Sequence, residues 1–291
     1  MKSILPILTV VAAIVVLWYA AAIGMNGKWA REQAARQGAE LSFSELVADT
    51  WSQERPRLPV PHQVLRELWN TTGAKVLAGK TWSKRSLIFH GWITLSATLA
   101  GFAIGTAAGI LLAVGIVHNK AMDMSVMPWA IASQTIPILA IAPMIIVVLN
   151  SIGIQGLIPK AIISAYLSFF PVVVGMVKGL RSPGREQLDL LRTYNAGGSQ
   201  TFWKLRLPAS MPYLFTSLKI AMAASLVGAI VGELPTGAIR GLGARMLTGS
   251  YYGQTIQIWS ALFAAAILAA ILVGIIGMIE KAMLRRMGVQ A

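Results

Sequence analysis

The 291-residue sequence has no cysteine. Disulfides, thiolate nucleophiles and cysteine-ligated metals are excluded together. Acidic charge is scarce: 11 Asp+Glu face 25 Lys+Arg, a formal net charge of +14. Charged residues make up only 12% of the chain, about half the share usual in soluble domains. Three scattered histidines, His62, His90 and His118, make a poor basis for a metal site. There is no G-x-x-x-x-G-K-[ST] loop, no H-E-x-x-H and no G-x-S-x-G. Nucleotide hydrolysis, zinc proteolysis and serine hydrolysis therefore have no residues to carry them. The chain is expected to be no enzyme and to hold no metal or cofactor.

What is present is apolar. Hydrophobic residues reach 56% and mean hydropathy is +0.65, too much to hide inside a water-soluble sphere. In such a chain Lys and Arg mark membrane-flanking loops rather than nucleic acid. A span needs about 20 apolar residues. Ile4–Gly24 supplies one, longer than the apolar core of a signal peptide and so read as an uncleaved anchor. Further spans fall within Ser86–His118, Ser125–Pro159, Ala161–Val177, a stretch from near Pro212 to Gly232, and Ile256–Ile279. Asn150–Gly153 reads as the turn between the third and fourth. The prediction is an all-α integral membrane protein with six transmembrane helices.

Met25–Arg85 differs, with ten Lys/Arg, six Asp/Glu and three prolines; it lies outside the bilayer as short interfacial helices such as His62–Asn70. The organisation expected is an anchor over 1–24, an external segment over 25–85, a five-helix core over 86–281 and a tail over 282–291. Lys178–Arg206 carries six Lys/Arg against two acids, and Glu280–Ala291 three against one. Excess positive charge marks the cytoplasmic side, so both termini are placed there and 25–85 on the opposite face. Gly101, Gly105 and Gly109, like Gly228 and Gly232, recur every four residues, which lets a neighbouring backbone come close. That neighbour is either another helix of the same subunit or a second copy.

The segment Gly179–Pro208 stands out. Ser182-Pro183 suits a helix start, and Leu188, Leu191 and Tyr194 share one face. Asn195 tolerates the left-handed conformation that ends a helix, and Gly197-Gly198 permits a reversal. Ser199 can cap a second helix with Phe202 and Leu205 on one face, stopped by Pro208. Two amphipathic helices joined by a sharp turn form a docking element; an ordinary loop lying on lipid headgroups is the plainer alternative.

These residues resemble the permease subunits of binding-protein-dependent ABC importers, whose signature is E-A-A, three residues, Gly, nine residues, then I-x-L-P. Here the window runs from Asp189-Leu190-Leu191 through Asn195 to Leu205-Arg206-Leu207-Pro208. Asp replaces Glu, leucines replace the alanines, and Asn replaces Gly. Leu58-Pro59-Val60-Pro61, Thr135-Ile136-Pro137 and Gly241-Leu242-Gly243 are similar to motifs of the nitrate/sulfonate/taurine branch, which includes pyrimidine-precursor and riboflavin permeases. Gly232-Glu233-Leu234-Pro235-Thr236-Gly237 leans toward those last two. The resemblance implies a type I importer permease of the bacterial inner membrane, paired with a second permease copy or close homologue. It further implies an ATPase dimer, which binds ATP-Mg and docks on Leu188, Asp189, Leu191, Tyr194, Asn195, Gly197, Phe202, Leu205, Leu207 and Pro208. A periplasmic binding protein would deliver a small polar or anionic solute.

Candidate pathway residues are Gln134, Thr135, Pro137, Glu233 and Thr236. Pro137 and Pro143 are placed to break the third span beside a water-filled cavity or simply to kink it. Glu233 is a pathway carboxylate or an ion-pair partner of Arg240 or Arg245. His90 reads as interfacial, and Tyr251, Tyr252 and Trp259 as an aromatic belt. The rival reading is a membrane enzyme or scaffold that works through Met25–Arg85.

Overall fold

The computed structural model describes residues 4–234 and 240–288, and the described chain is helical throughout. Helix α1 is Ile4–Arg36, α2 Phe43–Ser52, α3 Pro61–Thr71 and α4 Gly73–Leu77. Then come α5 (Leu87–His118), α6 (Lys120–Ser133), α7 (Ile138–Ser151) and α8 (Leu157–Leu180). Two short helices follow, α9 (Arg185–Thr193) and α10 (Gly198–Thr201), and a π-helical turn, Phe202–Arg206, leads into α11 (Leu207–Glu233). Helices α12 (Leu242–Tyr251) and α13 (Thr255–Arg286) complete the order.

Five helical stretches are long and apolar enough to cross a membrane: α1, α5, α8, α10 through α11, and α13. The sixth expected span is broken. Helices α6 and α7 meet at a 99° bend and count as one span only when taken together. Each has 14 residues, about 21 Å, too short for a hydrocarbon core of about 30 Å. Pro137 sets the break: it precedes α7 in an extended conformation (φ −64°, ψ 119°), and a proline pushes the residue before it out of helical geometry. Pro143 sits inside α7 without ending it.

Two compact units divide the chain. One comprises the N-terminal residues through Gly91 together with Ala244–Ala265. Here α1 runs through the boundary expected at Gly24; its 33 residues extend about 50 Å, so its charged end emerges from the apolar slab. Asn26, fully buried, organises this unit. Its Nδ2 donates to Leu58 O at 2.9 Å and Thr50 O at 3.3 Å, and its Oδ1 accepts from the backbone amides of Arg57 (2.9 Å) and Leu58 (3.1 Å). Trp18 Nε1 donates to Pro59 O at 2.9 Å. The Leu58–Pro61 motif is thus held by α1. Of the three aromatic residues expected as a belt, Trp259 is half-buried, its ring 4.9 Å from that of Trp18 and 6.3 Å from that of Phe263, whereas Tyr251 and Tyr252 are exposed. His90 is buried rather than interfacial, with Nε2 2.9 Å from Lys84 O.

The other unit, Trp92–Gly243 with Ala266–Ala291, centres on α8 packed between α5 and α11. A Cβ on Gly101 would lie 2.7 Å from Ala161 O and closer still to the Ser164 side chain, and one on Gly228 2.6 Å from Ser164 Cα. Gly105 and Gly109 press on Ser168 and Val172 of the same helix. The glycine stripes therefore serve packing within this subunit. Hydroxyls fasten the seam: Ser164 Oγ donates to Ser225 O at 2.6 Å and Ser225 Oγ to Thr98 O at 2.8 Å. Lys219 of α11 faces protein and pairs with Glu280 of α13.

Candidate functional site

Two sites lie at the opposite ends of α11. Before it, α9 begins at Gly184, whose N–H donates to Gln187 Oε1 at 3.1 Å. Ser182 does not cap α9; its hydroxyl turns back and donates to Gly179 O at 2.7 Å, closing α8. Helix α9 ends in a Schellman motif. Asn195 N donates to Arg192 O and Ala196 N to Leu191 O, both at 2.9 Å. Asn195 itself has φ +52°, the one non-glycine with positive φ among the described residues. Gly197 then starts α10, its N–H donating to Gln200 Oε1 at 3.2 Å; Ser199 lies inside that helix.

The second helix does not stop at Pro208. Leu207 N donates to Phe202 O, five residues back, and this wide π turn carries the chain into α11, where Pro208 occupies the first turn. Proline fits there because its missing N–H is one that the turn leaves unused. The apolar face expected from the sequence is divided. Phe202 and Leu207 pack on the core cluster of Ala113, Ile116 and Met176, and Phe202 meets the His118 ring at 5.4 Å. Leu188, Leu191 and Leu205 are half-buried. Tyr194 is 77% exposed, as are Leu190 (56%) and Trp203 (63%), two residues that the sequence pattern does not single out as facing outward. No residue of α9 is buried. Asp189 is paired with Arg192 of its own helix at 3.0 Å in open solvent, where such a pair contributes little.

At the far end, Glu233 is fully buried. Thr94 Oγ1, from α5, lies 2.9 Å from its Oε1 and 3.1 Å from its Oε2, and the Gly243 amide donates to Oε2 at 2.8 Å. Lys160 of α8 supplies a cation, with Nζ 3.9 Å from Oε1 and 3.4 Å from Arg240 O. Arg245, the other partner that the sequence suggests, belongs to the first unit, beside Glu67. Leu242 N donates to Thr94 Oγ1 at 2.9 Å. The Gly-Leu-Gly motif has a steric reason: Gly241, at φ +126°, would drive a Cβ into the Glu233 carboxyl group, and Gly243 would meet Ile230 O at 2.5 Å. The node ties α5, α8, α11 and the start of α12 through one carboxylate.

Gln134, Thr135 and Pro137 cluster at the α6–α7 bend and are exposed, as is Ile136 among them. Thr236, the last pathway candidate, lies outside the described residues. Thr94 and Lys160 are partners of Glu233 that sequence reasoning misses; a lone threonine and a lone lysine bordering apolar runs are the available signal.

The chain belongs to the family described as binding-protein-dependent transport system inner membrane component, which matches residues 105–287. It is an ABC transporter permease by that membership. The formylaminopyrimidine transport permease protein ThiX of Halalkalibacterium halodurans is 35% identical over 167 residues, 56% of this chain and 65% of that relative. The riboflavin transport system permease protein RibX of Chloroflexus aurantiacus is 30% identical over 213 residues, covering 72% of this chain and 78% of RibX. A nitrate import permease protein, NrtB of Synechocystis, is 26% identical over 78% of both chains. The MetNI methionine ABC transporter, in inward-facing form, aligns at a TM-score of 0.48 and 20% identity over 77% of this chain and 96% of that one.

Proposed function

We propose that this chain is the transmembrane subunit of an ABC importer in the bacterial inner membrane, with cytoplasmic termini, and that Asp189–Pro208 receives the ATPase. The carrying observation is the Asn195 reversal: two short helices joined by a left-handed residue, with Leu190, Tyr194 and Trp203 left outside the fold. An amphipathic helix set into a partner's groove is a common use of such a face. Two permease copies, or one and a close homologue, would frame the pathway, with the exposed Gln134–Pro137 bend turned toward it. ATP binding by the ATPase pair would swing the element and tilt α11, a gating motion of packed helices. A periplasmic binding protein would select the solute. ThiX and RibX, by their names, move a formylaminopyrimidine and riboflavin, which favours a pyrimidine-like or flavin-like solute here.

The test is reconstitution with an ATPase subunit and a substrate-binding protein of such an importer. Asn195→Val forces a β-branched residue into a left-handed conformation, costing about 1–2 kcal/mol. Uptake should fall to background and ATPase co-purification should drop in parallel, with normal abundance; Asp189→Lys should act likewise. Asn195→Gly should retain uptake. Normal transport by Asn195→Val, or lost transport with the ATPase still fully bound and responsive, would refute the docking assignment.

A further inference from the structure

The unit built from the N-terminal residues and Ala244–Ala265 contains an open polar cavity of about 620 Å³, within the range of small-ligand sites. Four cationic side chains line it, Arg55, Lys75, Arg85 and Arg245, against two acidic ones, Glu54 and Glu67. Positive charge is therefore in excess inside a concave wall. Arg245 is the anchor. Gln257 Nε2 donates to its carbonyl at 3.0 Å, fixing the backbone of α12 that carries it. Its Nε is buried and has no hydrogen-bond partner among the described residues. A buried guanidinium donor without an acceptor is costly, and an oxyanion is the group that its planar fork fits best. Burial holds Arg245 below the usual arginine range, with the neighbouring Arg85 charge acting in the same direction and Glu67 opposing both. Burial likewise raises Glu67. Two carboxylates thus stand among four cations, and the surplus faces the cavity.

We propose that this cavity is an oxyanion-binding site, in which Arg245 and Arg85 grip a phosphate-, sulfonate- or carboxylate-type group. The same chemistry is offered by a soluble anion and by the phosphate of an anionic lipid. The site is separate from the transport reading and is tested without the ATPase or the binding protein.

The experiment is calorimetric titration of the purified full chain, in neutral detergent, with inorganic pyrophosphate at constant ionic strength. Wild type should bind it. Arg85→Gln, at an exposed wall position, should weaken binding about tenfold, the value of one charge-assisted hydrogen bond. Arg85→Gln with Arg245→Gln should abolish it, and Arg36→Gln, outside the cavity, should bind as wild type. Repeating the titration in nanodiscs separates the sources. At an ionic strength that screens the bilayer charge, weaker binding in phosphatidylglycerol than in phosphatidylcholine identifies an anionic lipid as occupant, and equal binding in both identifies a soluble anion. No binding by wild type, or undiminished binding by Arg85→Gln, overturns the proposal.

Discussion

The two ends of α11 are built on opposite principles. At Glu233 a charge is sealed away, met by a threonine, a backbone amide and a lysine from three different segments. At Phe202–Arg206 the helix opens into a π turn, and the helices before it have no fully buried residue. One end is defined entirely by its own fold, whereas the other leaves aromatic and aliphatic surface for something else to define. Phe202 and Leu207 tie this end to the core, and Leu190, Tyr194 and Trp203 beyond them stay exposed. The contrast predicts that damage at Glu233 is read in folding, and damage at Asn195 in function.

The largest effect is expected from Glu233→Leu. It strands Lys160 as a buried, unpaired cation, and breaking such a pair costs about 3–5 kcal/mol. Abundance in the membrane should collapse, and Lys160→Met combined with Glu233→Leu should restore much of it. A double variant no better than the single one would show that the lysine is not the reason. Next comes the seam between the ends. Gly101→Val places a side chain against Ala161 O and Ser164, an overpacking worth about 1–3 kcal/mol, visible as a lowered Tm in detergent. Gly24→Ala, where a Cβ meets nothing within 4 Å, should leave Tm unchanged or slightly raised. Asn195→Val sharpens the comparison from the other side: any change in Tm should be smaller than that of Gly101→Val, even though uptake is lost.

The smallest effect concerns α2. Glu45 accepts a hydrogen bond from the backbone N–H of Ser42 and interacts with its side chain, and these hold its carboxyl below the usual range. A lowered carboxyl pKa gives stability that is present above the unfolded value and lost as pH falls through the folded one. The protection factor of the Ser42 amide, its exchange rate measured against the intrinsic rate at each pH, should therefore fall as pH drops below about 4.5, the ordinary glutamate value. In Glu45→Gln that pH dependence should vanish.

Much of this is legible in the sequence because hydropathy and turn chemistry are local. The five long spans, the α3 helix after Leu58–Pro61 and the reversal at Asn195 all follow from residues within a few positions of one another. What stays hidden depends on distance along the chain. Lys160 reads as a charge punctuating two apolar runs, since nothing near it points to Glu233. The π turn is invisible because Pro208 reads as a helix stop, and only a hydrogen bond from Leu207 back to Phe202 reveals that the helix continues. Trp259 has the composition of a membrane-surface residue, and its tilted ring contact with Trp18 joins opposite ends of the sequence. The sixth span rests on apolar length, which is blind to a 99° bend.

The Lys160–Glu233 pair also has a consequence in time. Some 70 residues separate the two, and at roughly 5–20 residues per second a ribosome needs about 4–15 s to cover them. Through that interval α8 has already emerged with its lysine, and the carboxylate that will neutralise it has not been made. Until α11 follows, Lys160 has no Glu233 to pair with, and the contact that neutralises it comes from the C-terminal side of the chain.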